Sequence, residues 1–259
     1  MLTKNIVNNK FSIGTIISAK YKLTRLITTG SFSAVYECEH IIKKNKAVIK
    51  METNENAKKL MQHEVIIYMS LQKSKVRVPR IKNTGCDGDI QYIILEQLDK
   101  TLKHYDGKIS YLDLYQQLYL LHQEGILHRD IKPENFVVGF NHLIYMIDLG
   151  LSKHIDNKPS KGFTGNYRYS SPTCFEKEYI YGIKDDILSL TFMCLDIKYK
   201  YLPWDYEDFN KMPRQNIHYF DFYPNEPLCE IIYLCLNKFH YGDVFGILDK
   251  TICNNIVSS

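Results

Sequence analysis

The sequence has no C-x-x-C pair, although it holds seven cysteines, Cys38, Cys86, Cys174, Cys194, Cys229, Cys235 and Cys253. Their odd number and scatter argue against a disulfide framework or a zinc site and point to a reducing compartment, cytoplasmic with the nucleus also open. No run approaches the ~18 apolar residues of a membrane span. Met1 to Lys20 also lacks the continuous apolar core of a signal peptide. No charge of one sign dominates. With 33 basic and 29 acidic residues the formal net charge is +4, too mild a field to argue for nucleic acid or a membrane as partner. The basic cluster Lys73, Lys75, Arg77 and Arg80 reads as a solvated loop. Low-complexity linkers, internal repeats and like-charge tails are absent. Arginine is sparse while Lys, Asn, Ile and Tyr abound, which reflects the coding bias of an AT-rich genome rather than a function. What remains is a 259-residue chain able to bury a sizeable core. The expectation is a soluble monomer, with an extension over residues 1–20 and one domain over 21–259.

The densest chemistry lies in Leu127-His128-Arg129-Asp130-Ile131-Lys132-Pro133-Glu134-Asn135-Phe136. Asp130 can accept a proton from an attacking hydroxyl, and Lys132 can reach a phosphoryl group in transfer. Asn135 offers a neutral oxygen to a hard cation such as Mg²⁺. Upstream, residues from Tyr21 to Tyr36 alternate apolar and polar around Gly30-Ser31-Phe32, which predicts two strands joined by a tight turn. The next strand, Ala47-Val48-Ile49, ends on Lys50. Thr53 or Asn54 can cap a helix running to about Leu71, with Leu60, Glu64, Tyr68 and Leu71 on one face. A glutamate on an apolar face needs a cation, and Lys50 is the candidate. Gln91–Leu95 predicts a strand and Tyr111–Gln123 an amphipathic helix that leads into the central loop. Beyond the loop, a hairpin of Phe136–Val138 and Leu143–Ile147 delivers Asp148-Leu149-Gly150, whose carboxylate suits Mg²⁺. Alone, a strand-end lysine or an Asp-Leu-Gly turn is commonplace. Their order along one chain gives them weight.

The run His128 to Asn135, the strand lysine and Asp148-Leu149-Gly150 resemble a eukaryotic protein kinase. Gly30-Ser31-Phe32, Thr164-Gly165-Asn166-Tyr167-Arg168-Tyr169, Asp185-Asp186 and Leu202-Pro203-Trp204 are similar to the casein kinase 1 family in particular, over about Tyr21 to Trp204. The vaccinia-related kinases are less similar, since they usually have glycine where Arg129 stands. The resemblance implies an α+β, bilobal protein-kinase fold, with a small β-rich lobe over about 21–96 and a larger α-helical lobe over about 97–259. It implies ATP and Mg²⁺ as cofactors and Ser/Thr hydroxyls of proteins as acceptors. Carried over, Ile27, Val35, Ala47 and Val137 would enclose the adenine, and Glu96 and Leu98 would offer it backbone groups, with Leu95 as gatekeeper. Gly30 would cover the phosphates and Lys50 would bind them, paired with Glu64. Asp130, Lys132 and Asn135 would be catalytic, with Asn135 and Asp148 holding the metal. Asp186 would brace the catalytic loop, and Arg168 would face acidic or phosphorylated groups on the substrate.

The sequence also departs from the family. Thr28 and Ser33 stand where the outer loop glycines belong, and no Ala-Pro-Glu follows. Asn166 replaces a threonine that bonds the catalytic aspartate and lysine, and the stretch from Glu96 to His128 is short, which predicts a trimmed connecting helix. After Trp204 a basic segment becomes Asp205-Tyr206-Glu207-Asp208. Two functions follow: an active serine/threonine kinase with a mild taste for acidic contexts, or a pseudokinase that binds nucleotide or protein without transfer.

Overall fold

The computed structural model describes residues 11–29, 33–52, 55–156, 158–206 and 213–257. Gly30, the Thr53 and Asn54 caps, Glu207 and Asp208 therefore lie outside the described residues. The chain divides into two compact units, Met1–Lys100 with Val137–Gly150, and Thr101–Phe136 with Leu151–Ser259.

The first unit is built on strands β1 (Ile16–Ile17), β2 (Tyr21–Thr29), β3 (Ser33–His40), β4 (Lys46–Glu52), β5 (Ile81–Asp87) and β6 (Ile90–Glu96), with helix α1 (Glu55–Leu71) between β4 and β5. Their order in the sheet is β1-β2-β3-β4-β6-β5, and every pairing is antiparallel. Alternation sets its core: Leu23, Ala34, Tyr36, Cys38, Ala47, Ile49 and Met51 are all buried on one face. Residues 16–17, from the stretch set apart as an extension, thus add an edge strand. On α1 the buried stripe is Met61, Glu64, Ile67, Tyr68 and Leu71. Leu60, expected on that stripe, is exposed. Glu64, Tyr68 and Leu71 are buried as expected, and Met61 takes the place expected of Leu60, since the spacing from Met61 to Glu64, Tyr68 and Leu71 follows the 3.6-residue period.

The second unit is helical: α2 (Tyr111–Gln123), α3 (Ile183–Tyr199), α4 (Tyr219–Phe222), α5 (Pro227–Leu236) and α6 (Tyr241–Val257). Ser110 caps α2 by accepting from the Asp113 amide at 3.2 Å. From Asp185 to Leu195, α3 is buried all round, which makes it the central post of this unit. Between β6 and α2 there is one 3₁₀ turn, Leu102–His104, in place of a longer connecting helix.

Two short ribbons carry the loops of interest. Strands β7 (Ile126–Leu127) and β10 (Lys153–His154) pair, as do β8 (Phe136–Val138) and β9 (Ile144–Met146). Val138 exchanges backbone bonds with Asp99 and Lys100 at 3.0 and 2.8 Å. Arg77, read from sequence as part of a solvated cluster, donates Nε to Ile144 O at 2.8 Å and so pins this hairpin to the first unit. A last pair, β11 (Ser160–Lys161) with β12 (Glu178–Tyr179), spans the segment between. Among the described residues no helix is long and apolar enough to cross a membrane, and the six described cysteines are free thiols.

Candidate active site

In the first unit Lys50 ends its charge between two carboxylates. Its Nζ lies 2.8 Å from Glu64 Oε2 and 3.0 Å from Asp148 Oδ1. Burial works against the ammonium, but Glu64 and Asp148 outweigh it and hold Lys50 above the ordinary lysine value. Glu64 is buried, and besides Lys50 it accepts from the Leu149 amide. Asp148 sits at φ +58°, a left-handed conformation uncommon for a side-chain-bearing residue, and its amide donates to Tyr68 Oη at 3.1 Å. The expected Lys50–Glu64 pair therefore forms, and Asp148 joins it.

Sequence reasoning passed over Glu52. It follows Lys50 by one strand period, so it shares that face of β4, and it is buried with Oε2 unpartnered. Burial pushes its carboxyl up to about 7, with Lys50 opposing and the charges of Glu64 and Asp148 adding to the rise. A folded pKa above the unfolded one means that the native state binds the extra proton, so stability falls as pH rises from the usual 4.5 to about 7. A Glu52→Gln chain should lose that slope. It is expected to match the native protein at pH 4 and to exceed it by on the order of 2 kcal/mol at pH 8. Thermal unfolding at the two pH values checks this, and an equal difference at both would reject the assignment.

The residues expected around the adenine are not all on one face. Val35 lies opposite Lys50 in the ladder, and Leu95 lies opposite Val48, so Val35, Val48, Leu95 and Lys50 share a face. Ala47 does not. It points to the other side of β4, fully enclosed with Ile49 and Met51. Val48 is the side chain on the Lys50 face, and Ala47 is corrected to a core residue. Ile27 is exposed and lies between Leu26 and Thr28, where the β2–β3 register shifts, a bulge that re-aims its side chain. Val137 is buried in β8. The Glu96 amide donates to Arg80 O at 2.9 Å, which leaves its carbonyl as the group to offer, while Leu98 follows the end of β6.

In the second unit Asp130 is buried and gripped from two sides. Lys132 Nζ lies 2.5 Å from its Oδ2, and Asn135 Nδ2 donates to the same oxygen at 3.0 Å and to the Asp130 carbonyl at 2.8 Å. Both amide protons of Asn135 are thus committed, which leaves its side-chain oxygen as the group to offer a hard cation. The loop around them is strained at Arg129, whose φ is +68°. Asp186 at the start of α3 holds that strain. Its carboxylate accepts the His128 and Arg129 amides at 2.7 and 2.9 Å, the Tyr181 hydroxyl at 2.7 Å and His122 Nε2 at 2.9 Å. Although burial opposes its charge, these partners keep Asp186 below the usual carboxylate range. Asp185 serves the neighbouring segment, accepting from Ser171 Oγ at 2.5 Å, from Thr173 and from the Gly182 amide.

Arg168 was expected to face a substrate. Its fork instead closes on its own chain, with Nε and Nη2 on Asp196 at 3.0 and 2.7 Å and Nη1 and Nη2 on Asp205 at 2.6 and 2.8 Å. Hydrogen bonds to Asp196, then Asp205, raise its pKa further. Four bonds occupy a group with five donors, so Arg168 is a brace of this segment. Asn166 also turns inward, its Oδ1 accepting the Arg168 and Tyr169 amides at 2.9 and 3.3 Å.

Residues 21–230 match the family model described as the protein kinase domain. A probable serine/threonine-protein kinase of Dictyostelium discoideum is 28% identical over 221 residues, covering 76% of this chain and 44% of that protein. The chain thus spans less than half the length of this relative. A crystal structure of a kinase domain superposes with a TM-score of 0.60 at 17% identity, over 73% of this chain and 68% of that one. At this identity the likeness is one of fold: a β-sheet unit followed by a helical one.

Proposed function

Because the chain belongs to the protein kinase domain family, we propose that it is an ATP-dependent serine/threonine protein kinase of casein kinase 1 type, acting on protein substrates. The observation that carries this reading is the Asp130 carboxylate held by Lys132 and Asn135. A carboxylate so placed can orient a hydroxyl and take its proton, while the Lys132 ammonium neutralises charge gathering on the phosphoryl oxygens. A lysine at that position favours Ser and Thr over Tyr within the family. The donor set suits the cofactor: Lys50 presents a fixed ammonium to phosphate, and Asn135 and Asp148 each offer hard oxygens to Mg²⁺. Bound Mg²⁺·ATP supplies the γ-phosphoryl group and screens its charge. The casein kinase 1 assignment rests on Thr164 to Tyr169 and on Leu202-Pro203-Trp204. The acidic context loses its support, since it was drawn from Arg168, whose donors are taken by Asp196 and Asp205.

The test is phosphate incorporation from Mg²⁺·ATP into the chain itself and into casein, run beside thermal unfolding with the nucleotide. Transfer supports the kinase. Stabilisation by the nucleotide with no transfer would leave a pseudokinase, the reading that Thr28 and Ser33 at the outer loop positions favour.

Those two residues carry a further expectation. Thr28 and Ser33 lie at the facing ends of β2 and β3, and a β-branched threonine resists the close backbone approach that glycine allows. Thr28→Gly with Ser33→Gly is expected to lower KM for ATP by about two- to fivefold, held to that size because added glycines also loosen the free loop. An unchanged or higher KM would mean that the native loop already takes the phosphate-covering shape.

A further inference from the structure

A groove of about 700 Å³ opens in the first unit where the residue before β2, the turn from β3 to β4 and the strand β5 come together. Each of these segments sends a lysine to it, Lys20, Lys43 and Lys82, and no carboxylate lines it among the described residues. Single surface lysines are ordinary. Three from distant parts of the chain, gathered around one concavity without an acid to balance them, make a local positive field that the mild net charge of +4 conceals. We propose that this groove binds a small soluble molecule carrying several phosphate groups. The proposal stands apart from the kinase reading, since Lys50, Asp130 and Asp148 are not among the lining residues.

The groove is shaped before any ligand arrives. The His40 amide donates to Asn45 O at 3.0 Å and the Lys44 amide to His40 O at 2.8 Å, which closes the turn, and the Ile41 amide donates to Lys20 O at 2.8 Å, which ties that turn to the start of β2. Lys82 Nζ donates to Lys46 O at 2.8 Å. This bond holds the Lys82 ammonium in place and leaves it further protons to give. Donors fixed in advance lose less entropy when a ligand binds.

His40 adds a neutral donor. Its Nδ1 accepts the Ile42 and Lys43 amides, each at 3.3 Å, which assigns the ring proton to Nε2. Tyr21, buried and opposite His40 in the ladder, packs edge-on against the imidazole with ring centroids 5.1 Å apart and so fixes its orientation.

The acids nearby in the chain are engaged elsewhere. Glu39 adjoins His40 in β3 and therefore takes the opposite face of the strand, where it pairs with Lys44 at 3.5 Å. Asp87, at the end of β5, accepts the Ser18 amide at 2.6 Å. An ammonium is a compact point charge that suits phosphate without demanding a planar partner. Cations drawn from three segments call for several phosphates on one ligand. The volume falls within the range of about 300–1,000 Å³ usual for small-molecule sites, and a concave site suits a compact ligand better than a flat membrane.

The experiment is isothermal titration of the full chain with inositol hexakisphosphate and, separately, with pyrophosphate, at low and at physiological salt. Both probes are expected to bind, inositol hexakisphosphate more tightly, and salt should weaken them. Lys20→Gln/Lys43→Gln should raise Kd by about tenfold or more, the effect of losing charge-assisted hydrogen bonds. Lys82→Gln repeats the test should the double variant fail to fold. Lys73→Gln/Lys75→Gln removes the same charge outside the groove and should leave Kd unchanged. No binding, binding that survives the groove variants, or an equal loss in both double variants would overturn the proposal. Attachment to phosphatidylcholine vesicles bearing phosphatidylserine, with neither soluble probe bound, would assign the lysines to a membrane surface and overturn it as well.

Discussion

Asp130→Asn is expected to bind ATP nearly as the native chain does and to lose about 10²–10⁴-fold in phosphoryl transfer. The aspartate is assigned to the substrate hydroxyl, and its partners Lys132 and Asn135 are both kept in the variant. The loss should fall in the upper part of that range. Oδ2 accepts from both Lys132 and Asn135, so an amide placed there either points two protons at two donors or flips and surrenders its accepting edge to them. In both orientations the substrate hydroxyl loses a charged acceptor. Single-turnover phosphorylation with saturating ATP, beside nucleotide titration, separates the two effects. More than about a tenth of native turnover, far above the range for such a group, would remove Asp130 from the role of base.

The parts of this molecule that sequence made legible are those whose determinants are local. Tyr111–Gln123 repeats its apolar residues at helical spacing behind a serine cap, and it folds over those residues. The order of Lys50, Glu64, Asp130, Lys132, Asn135 and Asp148 along the chain was enough to name them before their contacts were known. β5 escaped notice because Ile81-Lys82-Asn83-Thr84-Gly85-Cys86-Asp87 is a half-exposed edge strand with no apolar alternation to see.

Side chains defined by distant partners were misread. Arg168 was read as facing a substrate because Asp196 and Asp205, which take its donors, lie 28 and 37 residues away in sequence. Ala47 was chosen by its place in a motif, whereas the two-residue period counted back from Lys50 leads to Val48. That period was available in the sequence and would have found both Val48 and Glu52. The burial of Glu52 was not, since it depends on α1 folding back over the sheet.

Lys50→Met is expected to cost the protein both its activity and a large part of its stability, and the two losses should separate. Methionine removes the ammonium that Glu64 and Asp148 share. The Asp148 side chain is partly exposed and can turn to water, but Glu64 is buried and cannot. Stripping one partner from a buried pair typically costs roughly 3–5 kcal/mol. Burial already pushes the Glu64 carboxyl upward, with Lys50 as the main opposing influence, so in the variant the folded state will hold a proton there. The folded pKa then lies above the unfolded one, and the variant loses stability as pH rises through it. The destabilisation should therefore be small near pH 5 and large near pH 8. Adding Glu64→Gln removes the stranded charge, so Lys50→Met/Glu64→Gln should recover most of the stability at pH 8 while transfer stays absent, because the ammonium that Lys50 offers to the phosphates is still missing. Denaturant unfolding of the native chain, both single variants and the double at the two pH values measures the coupling directly. Additive effects at pH 8 would mean that Lys50 and Glu64 do not depend on each other, and would leave Lys50 a phosphate contact alone.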